Sequence, residues 1–427
     1  MWNVPEKEEN EDLRKEWFEK GEKYAVAVNE MVEFGEKNGW ENWQGQEPED
    51  KREHLTTEIL QRLRTANLNN SVSDFREQFP PAHVPFIPLL EKKAQSIEQL
   101  HFIDAEKIVF LTGTSYQKRK AYLLENDTIT ELDEKIDAIG KSKQGTVFAI
   151  AAAGKISTFD GWEGTLIHEF TLTEMAGIGI TDLVPFNDGK KVLLVTSEGI
   201  YLVSEDGEKK IHPVPEANEG EDEEDGDNGS ELSMENAALS NNNRYIVVGD
   251  QDTDHRILDP DGNTVGTVGP QSSYPHFCLF SKDDDQLITN SCHFYNGITI
   301  GIDSDKYMGA AVEAYTESEE YTLIDEEMRV YAGLASSDYY ILGDAYGYIK
   351  AVDKQGNRMW RHFLGSTISG MTISDDGQTL WVGSSSGMLH KLKLSQGHRD
   401  THTIGNGQHY EEFRLLIWKE EPQIWKW

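Results

Sequence analysis

The sequence predicts a mainly β fold: about seven four-stranded antiparallel blades in a β-propeller, preceded by an N-terminal α-helical extension. Three observations carry that expectation. First, Ser366–Leu394 (STISGMTISDDGQTLWVGSSSGMLHKLKL) reads as three short strands joined by two tight turns. Asp375-Asp376-Gly377-Gln378 and Ser384-Ser385-Ser386-Gly387 are turn chemistry, because Asx side chains bond nearby backbone and glycine accepts positive φ. Second, this meander recurs. The turn before each third strand falls near Lys118, Gly154, Gly199, Asp254, Gly297, Gly347 and Gly387, at intervals of 36 to 55 residues. A four-stranded blade takes about 40 to 50 residues, so the recurrence describes a ring of blades rather than one sheet. Third, helical periodicity is confined to residues 1–95, and strand alternation runs over 96–427.

In the first segment, Leu13, Trp17, Tyr24, Val28, Met31, Val32 and Phe34 recur mostly at three- and four-residue intervals. That spacing predicts an amphipathic helix from Glu8 to about Lys37, with Gly21 as a place to bend. A second helix is expected over Asp50 to Ala66, with Leu55, Ile59, Leu60 and Leu63 on one face. A third runs from Ser71 to Phe79, capped by Ser71 or Ser73 and stopped by Pro80-Pro81.

From Ser96 the period becomes two. Ile97 to Ile103, Lys107 to Thr112, Lys120 to Leu124 and Thr128 to Leu132 read as one complete blade. Later meanders centre on Lys155 to Phe159, Lys191 to Thr196, Tyr245 to Gly249, Leu287 to Ser291 and Tyr339 to Gly343, and Ser366–Leu394 is the last. The longest interval contains an acidic insertion, residues 216–231, whose like charges and low hydrophobicity predict a solvated loop.

The run Gly347-Tyr-Ile-Lys-Ala-Val-Asp353-Lys-Gln-Gly356-Asn-Arg-Met-Trp360 resembles the repeat of quinoprotein-type blades. Over about residues 96 to 420 the pattern is similar to bacterial propellers of the WD-repeat and quinoprotein-like superfamily. The resemblance implies a fold and leaves activity open, because propellers host many functions. Quinoprotein dehydrogenases hold pyrroloquinoline quinone beside calcium. Here only the sixth repeat has the tryptophan signature, and the adjacent cysteine pair of the alcohol-oxidising members is missing, so no cofactor is expected.

Acidic residues number 76 against 40 basic ones, a formal net charge of −36. Such a surface repels phosphate backbones and anionic lipid, which argues against nucleic-acid and membrane partners. A basic protein partner fits better. The first residues are charged with no apolar signal core, no run approaches the roughly 18 apolar residues of a spanning helix, and a cytoplasmic protein is expected. Cys278 and Cys292 are the only cysteines and are expected as buried free thiols.

Candidate contact residues for that partner are Glu221, Asp222, Glu223, Glu224, Asp225 and Asp227 of the insertion; Trp425 and Trp427 are expected either to close the ring or seal the N-terminal helices, or to serve the partner as an aromatic anchor. Asp250, Asp252 and Asp254 alternate as calcium ligands do, but His255 stands where such a loop wants glycine and no Glu occupies the twelfth position. His276, His293, His362, His390, His398, His402 and His409 are scattered, with neither H-E-x-x-H nor H-x-H spacing. There is no G-x-S-x-G elbow and no phosphate loop. The expected function is therefore non-catalytic protein binding, one form of it an immunity or inhibitor protein masking a basic toxin. The alternative is an enzyme, a metal-dependent hydrolase or lyase or an oxidoreductase, with its site at the central channel.

Overall fold

The computed structural model describes residues 4–132, 135–173, 178–214, 231–397 and 399–427. Seven antiparallel sheets of four or five strands form a propeller. Their innermost strands are Ile97–Asp104, Ala138–Lys141, Ile180–Pro185, Asn236–Leu239, Tyr274–Phe280, Val330–Ala335 and Ile368–Ile373, heading blades 1 to 7 in turn. Each blade takes its first three strands consecutively from the chain. In blade 5 the chain detours after the third strand. Ala311–Val312 pairs in parallel with the outer strand of blade 4, and Thr322–Asp325 then returns to complete blade 5.

The ring closes where blade 7 meets blade 1. The Ser369 hydroxyl donates to the Ile97 carbonyl at 2.8 Å, and the Phe102 N–H donates to the Thr372 hydroxyl at 2.9 Å. Gly383 makes this approach possible, because a Cβ there would stand 2.5 Å from the Ile97 carbonyl oxygen. Between blades the packing is aliphatic, with Leu183, Val192 and Leu194 against Ala138, Ala149 and Ile156 as one instance. Such burial removes water from the side chains and contributes about 1.5–3 kcal/mol for each Leu, Val or Ile, less for the alanines.

The turns between first and second strands repeat one device. The hydroxyls of Ser142, Ser240, Ser281 and Ser374 each accept the N–H five residues on, at 2.9–3.0 Å. A single oxygen thus satisfies the backbone that a tight turn leaves unpaired. Neighbouring turns are then tied together: Asn187 donates to the Asn241 carbonyl at 2.7 Å, and Asn241 donates to Asp284 at 2.6 Å.

The helices are α1 (Val4–Asn38), α2 (Thr56–Leu68), α3 (Val72–Gln78) and α4 (Ile87–Lys93). α1 runs unbroken through Gly21. Glycine is needed there because Arg52 crosses the helix, and a Cβ would lie 2.4 Å from its guanidinium. α2 begins later than its pattern predicts, after a 3-10 turn over Glu53–Leu55. Asp50 does not cap it; its carboxylate is paired with Arg52 at 2.7 Å. Ser71 stands at the cap position of α3, but its hydroxyl turns back to the Ala66 carbonyl. α4 follows Pro80-Pro81 and has too few turns to show a period.

These helices pack on the outer strands of blades 6 and 7. Trp17, Ile59, Leu63, Phe75 and Phe86 share one core with Met388, Leu416 and Trp418. Trp425 and Trp427 belong to the same core, and Trp427 is fully buried, 5.6 Å from the ring of Phe86. Neither tryptophan is an exposed anchor. The Trp427 indole N–H donates to the Phe79 carbonyl at 2.9 Å, so the ring seals the helices onto blade 7. Cys278 and Cys292 are buried and free, opposite Thr289 and Tyr274 rather than each other.

Candidate partner-binding face

In an antiparallel meander, the start of the first strand and the turn between the second and third strands lie at the same end. One face of the ring therefore collects seven strand starts and seven such turns, while the Ser-anchored turns occupy the other.

On the first face the axial channel opens as a funnel of about 650 Å³, lined by residues of blades 1, 3, 4, 5, 6 and 7. Five inner strands carry a register shift at their second or third residue, at Gln99, Thr181, His276, Tyr331 and Ser369. A bulge adds one residue to a strand and re-aims its side chain. All five side chains line the funnel.

Several of these groups lock blades together. Gln99 accepts the Ile139 N–H at 2.7 Å and donates to the Thr181 carbonyl at 3.1 Å, bridging blades 1, 2 and 3. Arg119 donates to the carbonyls of Asp137 and Ile180 at 2.6 Å and reaches Glu98 at 3.3 Å. Thr181 donates to Glu235.

Three carboxylates, Glu98, Asp182 and Glu235, line this wall. Desolvation pushes all three above the usual carboxylate range, against the pull of Arg119 on Glu98, of Lys143 on Asp182 and of the Thr181 hydroxyl on Glu235. Groups held in this way favour the approach of a cation. His276 is held neutral: burial first, then the nearby Arg329 guanidinium, drive it down to about 3. Its Nδ1 has no hydrogen-bond partner among the described residues. Burial also pushes the thiol of Cys278 up, which disfavours the thiolate.

Around the funnel stand exposed aromatic rings. Tyr116, Phe294, Tyr295 and Tyr346 occupy turns between second and third strands, and each is more than half exposed. Tyr295 and Tyr346 approach to 5.6 Å across blades 5 and 6. Arg329 lies 4.8 Å over the ring of Tyr331.

No family model and no curated protein matches the chain. Among solved structures, a similar chain is that of the computationally designed Ika8 protein. It is 16% identical with a TM-score of 0.45, covering 69% of this chain and 82% of that one. Likeness of that degree carries no functional argument. Among the described residues, no helix is long and apolar enough to cross a membrane.

The sequence-derived candidates are distributed differently. Glu221, Asp222, Glu223, Glu224, Asp225 and Asp227 lie outside the described residues. Asp250, Asp252 and Asp254 do not form a metal centre. Asp250 is buried against His212 at 2.9 Å and accepts the Asp252 N–H at 2.8 Å, while Asp252 and Asp254 are exposed. Among the described residues no three His, Cys, Asp or Glu side chains are placed to hold a metal ion. The scattered histidines partly converge, but away from the channel. His362 and His402, joined by His83, line a cavity of about 90 Å³ between the helices and blades 6 and 7, with His390 and His409 close to His362. Some of the funnel residues had a faint sequence signal, a polar residue (Gln99, Thr181, His276 or Ser369) near the head of an inner strand.

Proposed function

We propose that this protein is a non-catalytic binding propeller that engages a basic protein through the face bearing the axial funnel. The observation that supports this most directly is the pairing of three desolvated carboxylates, Glu98, Asp182 and Glu235, with a rim of exposed tyrosine and phenylalanine. Lysine and arginine side chains gain from both, by ion pairing and by cation–π contact. Exposed aromatics clustered at one site are also the residues that dominate protein interfaces. The net charge of −36 would steer a basic partner toward the molecule before contact. One concrete form is an immunity or inhibitor protein that masks a basic toxin or nuclease.

Catalysis in the funnel is the competing reading, favoured by the unpartnered Nδ1 of His276. Against it, the neighbour of its other ring nitrogen is the cation Arg329, at 3.5 Å, and a cation cannot orient an imidazole as a base. The test is affinity capture from the native cell at low and high salt, using the wild type and a Phe294→Ala/Tyr295→Ala variant. One basic protein, recovered at low salt and lost both at high salt and with the variant, is the expected result. Recovery that ignores the rim substitutions sinks the reading. A turnover activity abolished by His276→Asn but untouched by the rim variant would replace it with the enzyme.

A further inference from the structure

Another cavity, of about 630 Å³, lies between α1 and blade 6. Its size falls within the roughly 300–1,000 Å³ of small-ligand pockets, and such pockets favour junctions between substructures. Four aromatic side chains contribute to its wall: Trp40, Tyr346, Tyr348 and Phe363. Trp40 is positioned by two features. Gly35 lets the indole lie against the helix backbone, since a Cβ there would stand 2.4 Å from the ring, and the indole N–H donates to Glu327 at 3.1 Å. The ring is nevertheless 44% exposed, a large aromatic surface held in place without a cover. Tyr348 and Phe363 pack together at 4.8 Å. Met31 and Val32 of α1 add an apolar side.

The charges of the lining are unequal, four carboxylates against two cations. Arg361 neutralises Glu36 at 2.6 Å, and Lys350 and Arg358 neutralise Glu327 at 3.5 and 2.9 Å. Asp344 differs. It is 2% exposed and accepts the Tyr348 N–H at 2.8 Å, but among the described residues no cation pairs with it. Burial drives its carboxyl up to about 6 although Lys350 and backbone donors oppose the shift. Lys350 is thus near enough to act on Asp344 but forms no ion pair with it, and a buried carboxylate so incompletely compensated repels anions and is relieved by a bound cation.

We propose that this cavity binds a small organic cation, an alkylated ammonium compound whose charge faces Asp344 and the aromatic rings. The rings supply negative faces to the cation, and the apolar wall accepts its methyl groups. The site shares Tyr346 with the rim but does not depend on the protein-binding reading.

The test is isothermal titration of the full chain with choline, with benzyltrimethylammonium, and with 3,3-dimethylbutan-1-ol, the uncharged isostere of choline. Saturable one-to-one binding of at least one cation is expected, with the alcohol about tenfold weaker or more. Trp40→Ala, at an exposed ring, should weaken binding by about tenfold while leaving thermal unfolding unchanged. Asp344→Asn should remove the preference for the charged ligand. If Asp344→Asn fails to fold, Trp40→Ala still decides. No saturable binding of either cation, equal binding of the alcohol, or indifference to Trp40→Ala overturns the proposal. None of these outcomes bears on capture of a basic protein through Phe294 and Tyr295.

Discussion

The imidazole of His390 donates to the carboxylate of Glu411 at 2.6 Å inside blade 7. Arg414, from the same strand as Glu411, and Arg76, from α3, reach the same carboxylate at 2.9 Å. Burial works against ionisation of Glu411, but these two guanidiniums and the imidazole outweigh it and hold the carboxyl well below its usual range. One acidic side chain thus ties the helical extension to the propeller.

Replacing Glu411 by Gln is expected to destabilise the protein by about 3–5 kcal/mol, because the buried Arg414 guanidinium loses the carboxylate it pairs with and Arg76 loses its anchor. Urea unfolding of the variant and the wild type measures it. A change below about 1 kcal/mol would assign the cluster a minor role.

Acidification should loosen the same junction. Burial drives His83 down to about 3, and His362 and His409 to about 4, while an unfolded imidazole titrates near 6.5. Below about pH 6.5 the unfolded chain therefore binds protons that the folded state refuses, so stability falls as pH drops toward about 4. Glu411 extends the loss further, since its ionised form is the stabilised one and it is protonated only at lower pH. Asp344, raised to about 6, acts in the opposite sense. Tryptophan fluorescence, which reports the buried Trp17 and Trp427, should change through this window, and His83→Asn should make the change shallower. A flat trace from about pH 7 to about pH 4 would contradict this account.

Gly140 on the inner strand of blade 2 packs so closely on blade 3 that a Cβ would stand 1.9 Å from the Leu183 carbonyl oxygen. Gly140→Ala should cost about 1–3 kcal/mol or more, since the contact is with backbone, which cannot step aside. Thermal unfolding reads the effect, and an unchanged melting temperature would mean that the two blades can separate freely.

Trp427→Ala removes a fully buried ring and leaves the Phe79 carbonyl without its donor. A loss of about 3–5 kcal/mol is expected. It should appear first as protease sensitivity within residues 56–93, with the β signal of the ring retained. Wild-type resistance in that segment would show that Trp427 does not hold the helices down.

Much of this architecture was readable from local pattern. Alternation, Asx and glycine turns and blade-length spacing are properties of neighbouring residues, and they specified the meanders and the helical faces of Ile59, Leu60 and Leu63. Elements with weak local signals escaped: the inner strand Ala138–Lys141, the outer strand Gly207–His212 and the seven-residue helix Ile87–Lys93. The path from Asn296–Asp303 through blade 4 and back to Thr322–Asp325 could not be read either, because pairing partners there are distant in the chain.

The sequence by itself determined the repeated β unit, the amphipathic helices and the strongly anionic character, since each follows from composition or from periods of two and 3.6. Only the tertiary structure decided which side chains meet. Glu98, Asp182, Glu235 and His276 come from four blades and share a funnel because ring closure brings four strand starts to one axis. Trp425 and Trp427 read either as a seal on the helices or as an anchor for a partner, and their burial against the helices decides for the seal. Spacing along the chain cannot disclose either arrangement, because both depend on contacts between segments far apart in the sequence.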